Sequence, residues 1–292
     1  MTDLFWRVVN EKIGESLGQP FSGKPMGNPG GGCINQTARF SDGNTTYFVK
    51  RNRRECLAMF RAEAAGLEAI ADTRTIRVPK PVCHGVAEND AFLVLEWLEL
   101  SRGNQESWRE MGKRLAALHR YDVGGRFGWP MDNTIGATPQ INGFIESWGP
   151  FFAERRLEFQ WKSGVRRGGN FPKLRALISR VPDMLADHRV RPSLVHGDLW
   201  SGNAAFADQG EPVMFDVAVY FGDREVDLAM SELFGGFPAD FYRAYNEEYP
   251  LPQGYERRRT LYNLYHVLNH FNLFGGHYEA QANRMIDILI QS

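Results

Sequence analysis

The chain has 292 residues, 43% hydrophobic and 24% charged, with 34 Lys plus Arg against 35 Asp plus Glu and a formal net charge of −1. That balance belongs to an ordinary globular protein and excludes a disordered or fibrous one; it offers no overall attraction to nucleic acid or to a membrane surface. Three cysteines, Cys33, Cys56 and Cys83, are too few and too scattered for a disulfide framework or a four-ligand zinc site. No apolar run approaches the roughly 18 residues of a membrane span, and the first residues lack the apolar core of a signal peptide. A cytoplasmic protein with neither a nucleic-acid nor a membrane partner is expected.

In chain order, Leu4, Phe5, Val8, Val9, Ile13 and Leu17 recur at helical spacing and predict a first helix. A Gly/Pro-rich loop follows over residues 18–32. Residues 34–40 and 45–50 then read as a hairpin across Ser41-Asp42-Gly43-Asn44, since Asp-Gly between apolar runs is a strong turn signal. Residues 55–71, rich in Ala, Leu, Met and Glu, predict a second helix, and after Val78-Pro79 a strand runs through residues 92–95. Helix, hairpin, helix and strand make a small sheet lobe, residues 1–98.

Residues 99–292 are mainly helical. Met111, Leu115 and Leu118 share one face, as do Leu174, Leu177, Ile178, Val181 and Leu185. Residues 194–216 interrupt with three short strands, at 194–195, 204–206 and 213–215, the last two around an Ala-Asp-Gln-Gly-Glu-Pro turn. The remainder returns to helix, ending over residues 285–290.

Three motif matches lack the context that gives them meaning. Gly14-Glu15-Ser16-Leu17-Gly18 fits a nucleophile elbow but ends a helix. Residues 18–24 fall one hydroxyl short of a Walker A loop. His266 and His270 lack the glutamate of a zinc protease and are expected to be hydrogen-bonded in a core or cleft.

His196-Gly197-Asp198-Leu199-Trp200-Ser201-Gly202-Asn203 is different. It sets Asp and Asn five apart directly after a short strand, the spacing with which protein kinases place the base that accepts a hydroxyl proton and an Mg²⁺ ligand. Asp216 follows at the end of an apolar run, where a second metal carboxylate belongs. Lys50 closes the hairpin strand as a phosphate-contacting lysine, and Glu63, thirteen residues on, can pair with it from the next helix; Glu55 and Glu68 are alternatives. Gly30-Gly31-Gly32-Cys33-Ile34-Asn35 opens the same hairpin, so that Gly31, Gly32, Cys33 and Asn35 would bring backbone N–H groups to phosphates. Glu96-Trp97-Leu98 is the expected hinge against an adenine.

With those residues in place, the chain resembles the fructosamine (ketosamine) kinases, relatives of the aminoglycoside phosphotransferases. The matching runs are residues 31–36, 194–203, 220–237 and 261–276, the last two particular to this family. The resemblance implies an α+β, protein-kinase-like two-lobed fold: a small antiparallel sheet lobe with a helix, and a larger, mainly helical lobe. It implies ATP and Mg²⁺, with phosphorylation of the O3 hydroxyl of a ketose joined to an amine by glycation. Asp198 would be the base, Asn203 and Asp216 the Mg²⁺ ligands, and Lys50 with Glu63 the phosphate clamp. Asp227 would support the catalytic loop and His196 fix its geometry. Trp200, Asp223 and Glu225 are candidate acceptor contacts, with Trp200 alternatively in the core. Val217 departs from the family's Asp-Pro-Ala and leaves the stiffness of that loop open. A kinase for another small acceptor, such as an aminoglycoside or choline, and a non-catalytic pseudokinase are the alternatives. Cys33 is expected to be a redox-sensitive thiol able to form a disulfide-linked dimer.

Overall fold

The computed structural model describes residues 4–27 and 34–291. Gly31, Gly32 and Cys33 lie outside the described residues.

The first helix, α1 (Leu4–Leu17), buries Phe5, Val9 and Ile13, while Leu4 and Leu17 stay exposed, so its apolar stripe is narrower than its sequence suggests. The strands β1 (Lys24–Pro25), β2 (Gln36–Ser41), β3 (Thr46–Arg53), β4 (Pro81–Ala87) and β5 (Asp90–Glu96) form one antiparallel sheet in the order β1-β2-β3-β5-β4. The expected hairpin is β2–β3. Its turn is fixed by the Asp42 carboxylate, which accepts the N–H groups of Asn44 (2.8 Å) and Thr45 (2.7 Å). Two strands differ from the sequence reading: β1 lies inside the expected loop, and β4 precedes β5. Pro81 and Gly85 break the alternation that would have marked β4.

Between β3 and β4, a short 3₁₀ turn (Arg54–Cys56) leads into α2 (Leu57–Thr73). This helix joins the two parts of the chain. Phe60, Leu67 and Ile70 enter the main core with residues of the helical part, and Gly66 seats directly on the side chains of Val217 and Val219. A Cβ at Gly66 would lie 2.9 Å from Val219 and 3.1 Å from Val217, closer than packed carbons allow.

The helical part begins with α3 (Gln105–Arg120), capped reciprocally by Asn104 and Ser107. A small hairpin, β6 (Asn133–Ile135) and β7 (Thr138–Gln140), follows. Then α4 (Trp148–Phe151) runs through a π-helical turn (Phe152–Glu158) into α5 (Phe159–Arg166) and α6 (Leu174–Met184). The irregular segment holds β8 (Ser193–Val195), β9 (Ala204–Phe206), β10 (Pro212–Met214) and β11 (Tyr220–Gly222). β9 pairs with β10 around the expected turn, whereas β8 pairs with β11, a strand too short to show alternation in sequence. The helices α7 (Glu225–Leu233), α8 (Ala239–Glu248), α9 (Tyr255–Phe274) and α10 (Tyr278–Gln291) complete the chain. Among the described residues no helix is long and apolar enough to cross a membrane.

Candidate active site

The loop after β8 carries Asp198 and Asn203, and its shape is dictated from below. Asp227, fully buried at the start of α7, accepts the backbone N–H of His196 (2.7 Å) and of Gly197 (2.8 Å), and Nε2 of His119 (3.1 Å). Burial alone would raise its pKa; the contacts with His119 and these N–H groups overcome that and hold it below the ordinary range. Gly197 is at φ 81°, and a Cβ there would lie 2.1 Å from the Ala218 carbonyl oxygen, so only glycine fits. His196 accepts the Asp198 N–H at Nδ1 (3.2 Å) and donates from Nε2 to the Phe215 carbonyl (3.0 Å). One tautomer satisfies both bonds, and burial pushes the ring's pKa down, so this histidine is a neutral strut.

Asn203 donates from Nδ2 to the Asp198 carbonyl (2.9 Å) and carboxylate (3.3 Å). The Asp198 carboxyl is pushed up to about 7, first by desolvation and then by the charge of Asp216. Asp216 is held with φ 55°, in the left-handed region, by flanking bonds from Phe215 N–H to the Asn203 carbonyl and from Ala218 N–H to the His196 carbonyl. Strain of this kind collects at functional positions.

Lys50, on β3, pairs with both Glu63 of α2 and Asp216. The expected partner is therefore the one observed; Glu55 instead faces Arg53. Lys50 is only 5% exposed, although it borders the cleft. Burial works against its ammonium, but the two carboxylates outweigh it and hold its pKa above the ordinary value.

Two adjoining chambers meet at these residues. The first, about 410 Å³, is walled by Phe48, Leu95, the expected hinge residues Glu96, Trp97 and Leu98, and Phe215. The second, about 460 Å³, holds Asp198, Asn203, Trp200, the β6–β7 hairpin and the α9 residues Asn269 and His270. Asn35, Lys50, Gly202 and Asp216 border both. The carboxylate of Glu96 accepts from Arg77 (2.8 Å) and from the Lys80 N–H (3.2 Å).

Trp200 lines the second chamber at 37% exposure, so it is not a core residue. Asp223 and Glu225 do not reach that chamber, contrary to expectation. Asp223 is consumed by His188 (2.7 Å) and the Tyr262 hydroxyl (2.6 Å), and Glu225 by a two-pronged contact with Arg258. Of the discounted histidines, His270 donates to the His266 carbonyl and borders the second chamber. His266 is buried, and its Nδ1 has no partner among the described residues. The hairpin residues and Asn269 carried no sequence signal: three-residue strands are too short for periodicity, and a lone asparagine on a helix has no motif.

A β-sheet lobe, a helical lobe and a cleft that brings Lys50, Glu63, Asp198, Asn203 and Asp216 together define a kinase-like phosphotransferase fold. An aminoglycoside phosphotransferase in complex with ADP and hygromycin B has the same fold, at a TM-score of 0.66 and 14% identity over 97% of this chain and 98% of that one. Within that class the chain belongs to the fructosamine kinase family, whose model matches residues 5–292. A Synechocystis protein named as a probable ketoamine kinase is 53% identical over 281 residues, 96% of this chain and 95% of its own. A solved structure from Haemophilus somnus named for fructosamine-3-kinase superposes with a TM-score of 0.93 at 33% identity, covering 98% of this chain and 97% of that one.

Proposed function

We propose that the protein transfers the γ-phosphoryl group of ATP to the O3 hydroxyl of a ketosamine, a ketose joined to an amine by glycation. The carrying observation is the layout of the two chambers: one walled by the hinge, one containing Asp198, with Lys50 and Asp216 on their common border. Adenine belongs against the hinge, the phosphates at Lys50, and the sugar beside Asp198.

The bond between the γ-phosphorus and the ADP oxygen breaks, a bond from that phosphorus to O3 forms, and the hydroxyl proton passes to a carboxylate oxygen of Asp198. A carboxyl titrating near 7 is poised to hold that proton and give it up again. Lys50 orients phosphate oxygens, and Glu63 keeps the ammonium aimed. Asp216 and the side-chain oxygen of Asn203 form a hard oxygen donor set that suits Mg²⁺, since Asn203 already spends its Nδ2 on Asp198. When bound, Mg²⁺ neutralises charge that develops on the phosphates. His196 and Asp227 shape the loop and move no proton.

The test is ADP release by the purified protein with Mg²⁺-ATP and a fructosamine or ribulosamine derivative of lysine, with mass-spectrometric identification of the product. A sugar 3-phosphate is expected. Turnover with an aminoglycoside or choline and none with either ketosamine would refute the reading.

A further inference from the structure

Arg156, in the π-helical turn, is fully buried, and among the described residues no carboxylate pairs with it. A guanidinium withdrawn from water costs several kcal/mol unless its donors are met. Here Nη1 donates to the Ile141 carbonyl (2.8 Å) and Nη2 to Oδ1 of Asn142 (2.7 Å), while the cation lies 4.0 Å from the centre of the Tyr220 ring and 4.7 Å from that of Phe151. Nε has no partner among the described residues. An apolar side chain would fill this site without that cost, so the fork has another use.

What it touches supplies one. Asn142 passes its Nδ2 to Oδ1 of Asn133 (2.8 Å), and Asn133 passes its own Nδ2 to the Val219 carbonyl (2.8 Å). Gln140 donates to the same Oδ1 (2.8 Å) and to the Ala218 carbonyl (3.0 Å), and it accepts the Tyr265 hydroxyl (2.7 Å). The amide nitrogens of Asn133, Gln140 and Asn142 each face a backbone carbonyl, of Val219, Ala218 and Met131, and a carbonyl only accepts. Arginine only donates. It takes the oxygen of Asn142 at the end opposite those carbonyls, so donors and acceptors run through the relay in one consistent direction. Were Asn142 reversed, an NH₂ would face the guanidinium and oxygen would meet oxygen at Asn133.

The relay ends on the two carbonyls just beyond Asp216-Val217, and it starts from the hairpin that walls the second chamber. We propose that Arg156 is a positioning residue. It anchors the Asn142–Asn133–Gln140 relay at one end and thereby fixes the distance between the acceptor wall and the segment that carries Asp216. This supplies by side-chain bonds the stiffness that a proline at 217 would have given through the backbone. Its kinetic consequence rests on the proposed ketosamine kinase reading; its structural consequence does not.

Two variants test it. Arg156→Met removes the fork but keeps the volume. Asn142→Asp keeps an oxygen for Arg156, and gives it a charge partner, yet deletes the donor to Asn133. Hydrogen exchange on the protein without nucleotide should show about tenfold faster exchange across residues 133–140 and 216–219 in both, with α10 unaltered. With substrate, both should raise KM for the ketosamine about tenfold or more and lower kcat. Arg156→Lys, which still donates to Asn142, should recover most of the loss. If Asn142→Asp matches the wild type in exchange and in acceptor KM, the relay is not what Arg156 serves and the proposal fails. It fails equally if exchange quickens across the whole chain, α10 included. Should the wild type phosphorylate no ketosamine, the functional reading falls, while the exchange result still decides the relay.

Discussion

Replacing Asp198 by Asn separates catalysis from stability in opposite directions. The wild-type carboxyl titrates at about 7 rather than 3.8, so between those values the folded state binds a proton that the unfolded chain has released. A raised carboxyl means the charged form is penalised in the fold: the penalty is absent below about pH 4, grows as pH rises, and is complete above about pH 7. A shift of about three pK units corresponds to roughly 4 kcal/mol. Asp198 keeps an edge open to the cleft, where solvent screens the charge, so about 2 kcal/mol is the better figure. The asparagine carries no charge, and its oxygen can still accept from Asn203. At pH 8 the variant should therefore melt about 4–8 °C above the wild type, an advantage that vanishes near pH 4. Turnover should fall by about 10²–10⁴, with ATP affinity nearly unchanged. Calorimetry at pH 4 and pH 8, isothermal titration of Mg²⁺-ATP and an ADP-release assay read the three. A variant less stable than wild type at pH 8, or one that retains more than about a tenth of kcat, would refute the reasoning.

Asp216→Ala should lose Mg²⁺-ATP affinity as well as rate, and should move the titration of Asp198 to lower pH, because the Asp216 charge helps raise it; carbon-13 titration of the nucleotide-free protein follows that shift. Lys50→Met strands the Glu63 carboxylate, whose side chain is only 11% exposed, and should destabilise the fold by about 3 kcal/mol as well as abolish turnover. The double variant Lys50→Met with Glu63→Gln should regain the melting temperature but no activity; continued instability would assign Lys50 another structural partner. Burial raises the pKa of Cys56 and pushes Cys83 up to about 12, leaving both poor in thiolate, so alkylation that inactivates the protein should map to Cys33. Mg²⁺-ATP should protect, and Cys33→Ser should be active and resistant. Equal inactivation of that variant would place the sensitive thiol elsewhere.

The Lys50–Glu63 pair and the Asp198–Asn203 loop were legible because their residues are tied to local grammar. Lys50 lies on the second strand of a hairpin with an Asp-Gly turn, a strand that runs three residues past it to Arg53, and Asp198 and Asn203 share one loop at fixed spacing. Glu63 could be chosen over its neighbours only as the better of three, and the fold settles it by pointing α2 at β3. The acceptor side was not legible. Asn133, Asn269 and His270 come together from a three-residue strand and a long helix 136 residues apart in the chain (269 − 133), and no local pattern records such a meeting. Asp223 and Glu225 misled for the opposite reason. Charged residues in a family-specific run invite a reading as substrate contacts, whereas here they are buried partners of His188, Tyr262 and Arg258 that hold the loop before α7 in place.

The bare seat that Gly66 offers to Val217 and Val219 bears on how such a protein can be controlled. Protein kinases are switched by swinging the helix that carries the lysine's glutamate partner, which breaks the ion pair until a signal restores it. Here that helix rests backbone-first on the strand of chain leading away from Asp216, with no side chain between to act as a bearing. Swinging it would drag those valines with it and open a void in the core at a cost of several kcal/mol. The helix is thus a fixed beam and not a lever. The Glu63–Lys50 ion pair therefore stands without a signal to restore it.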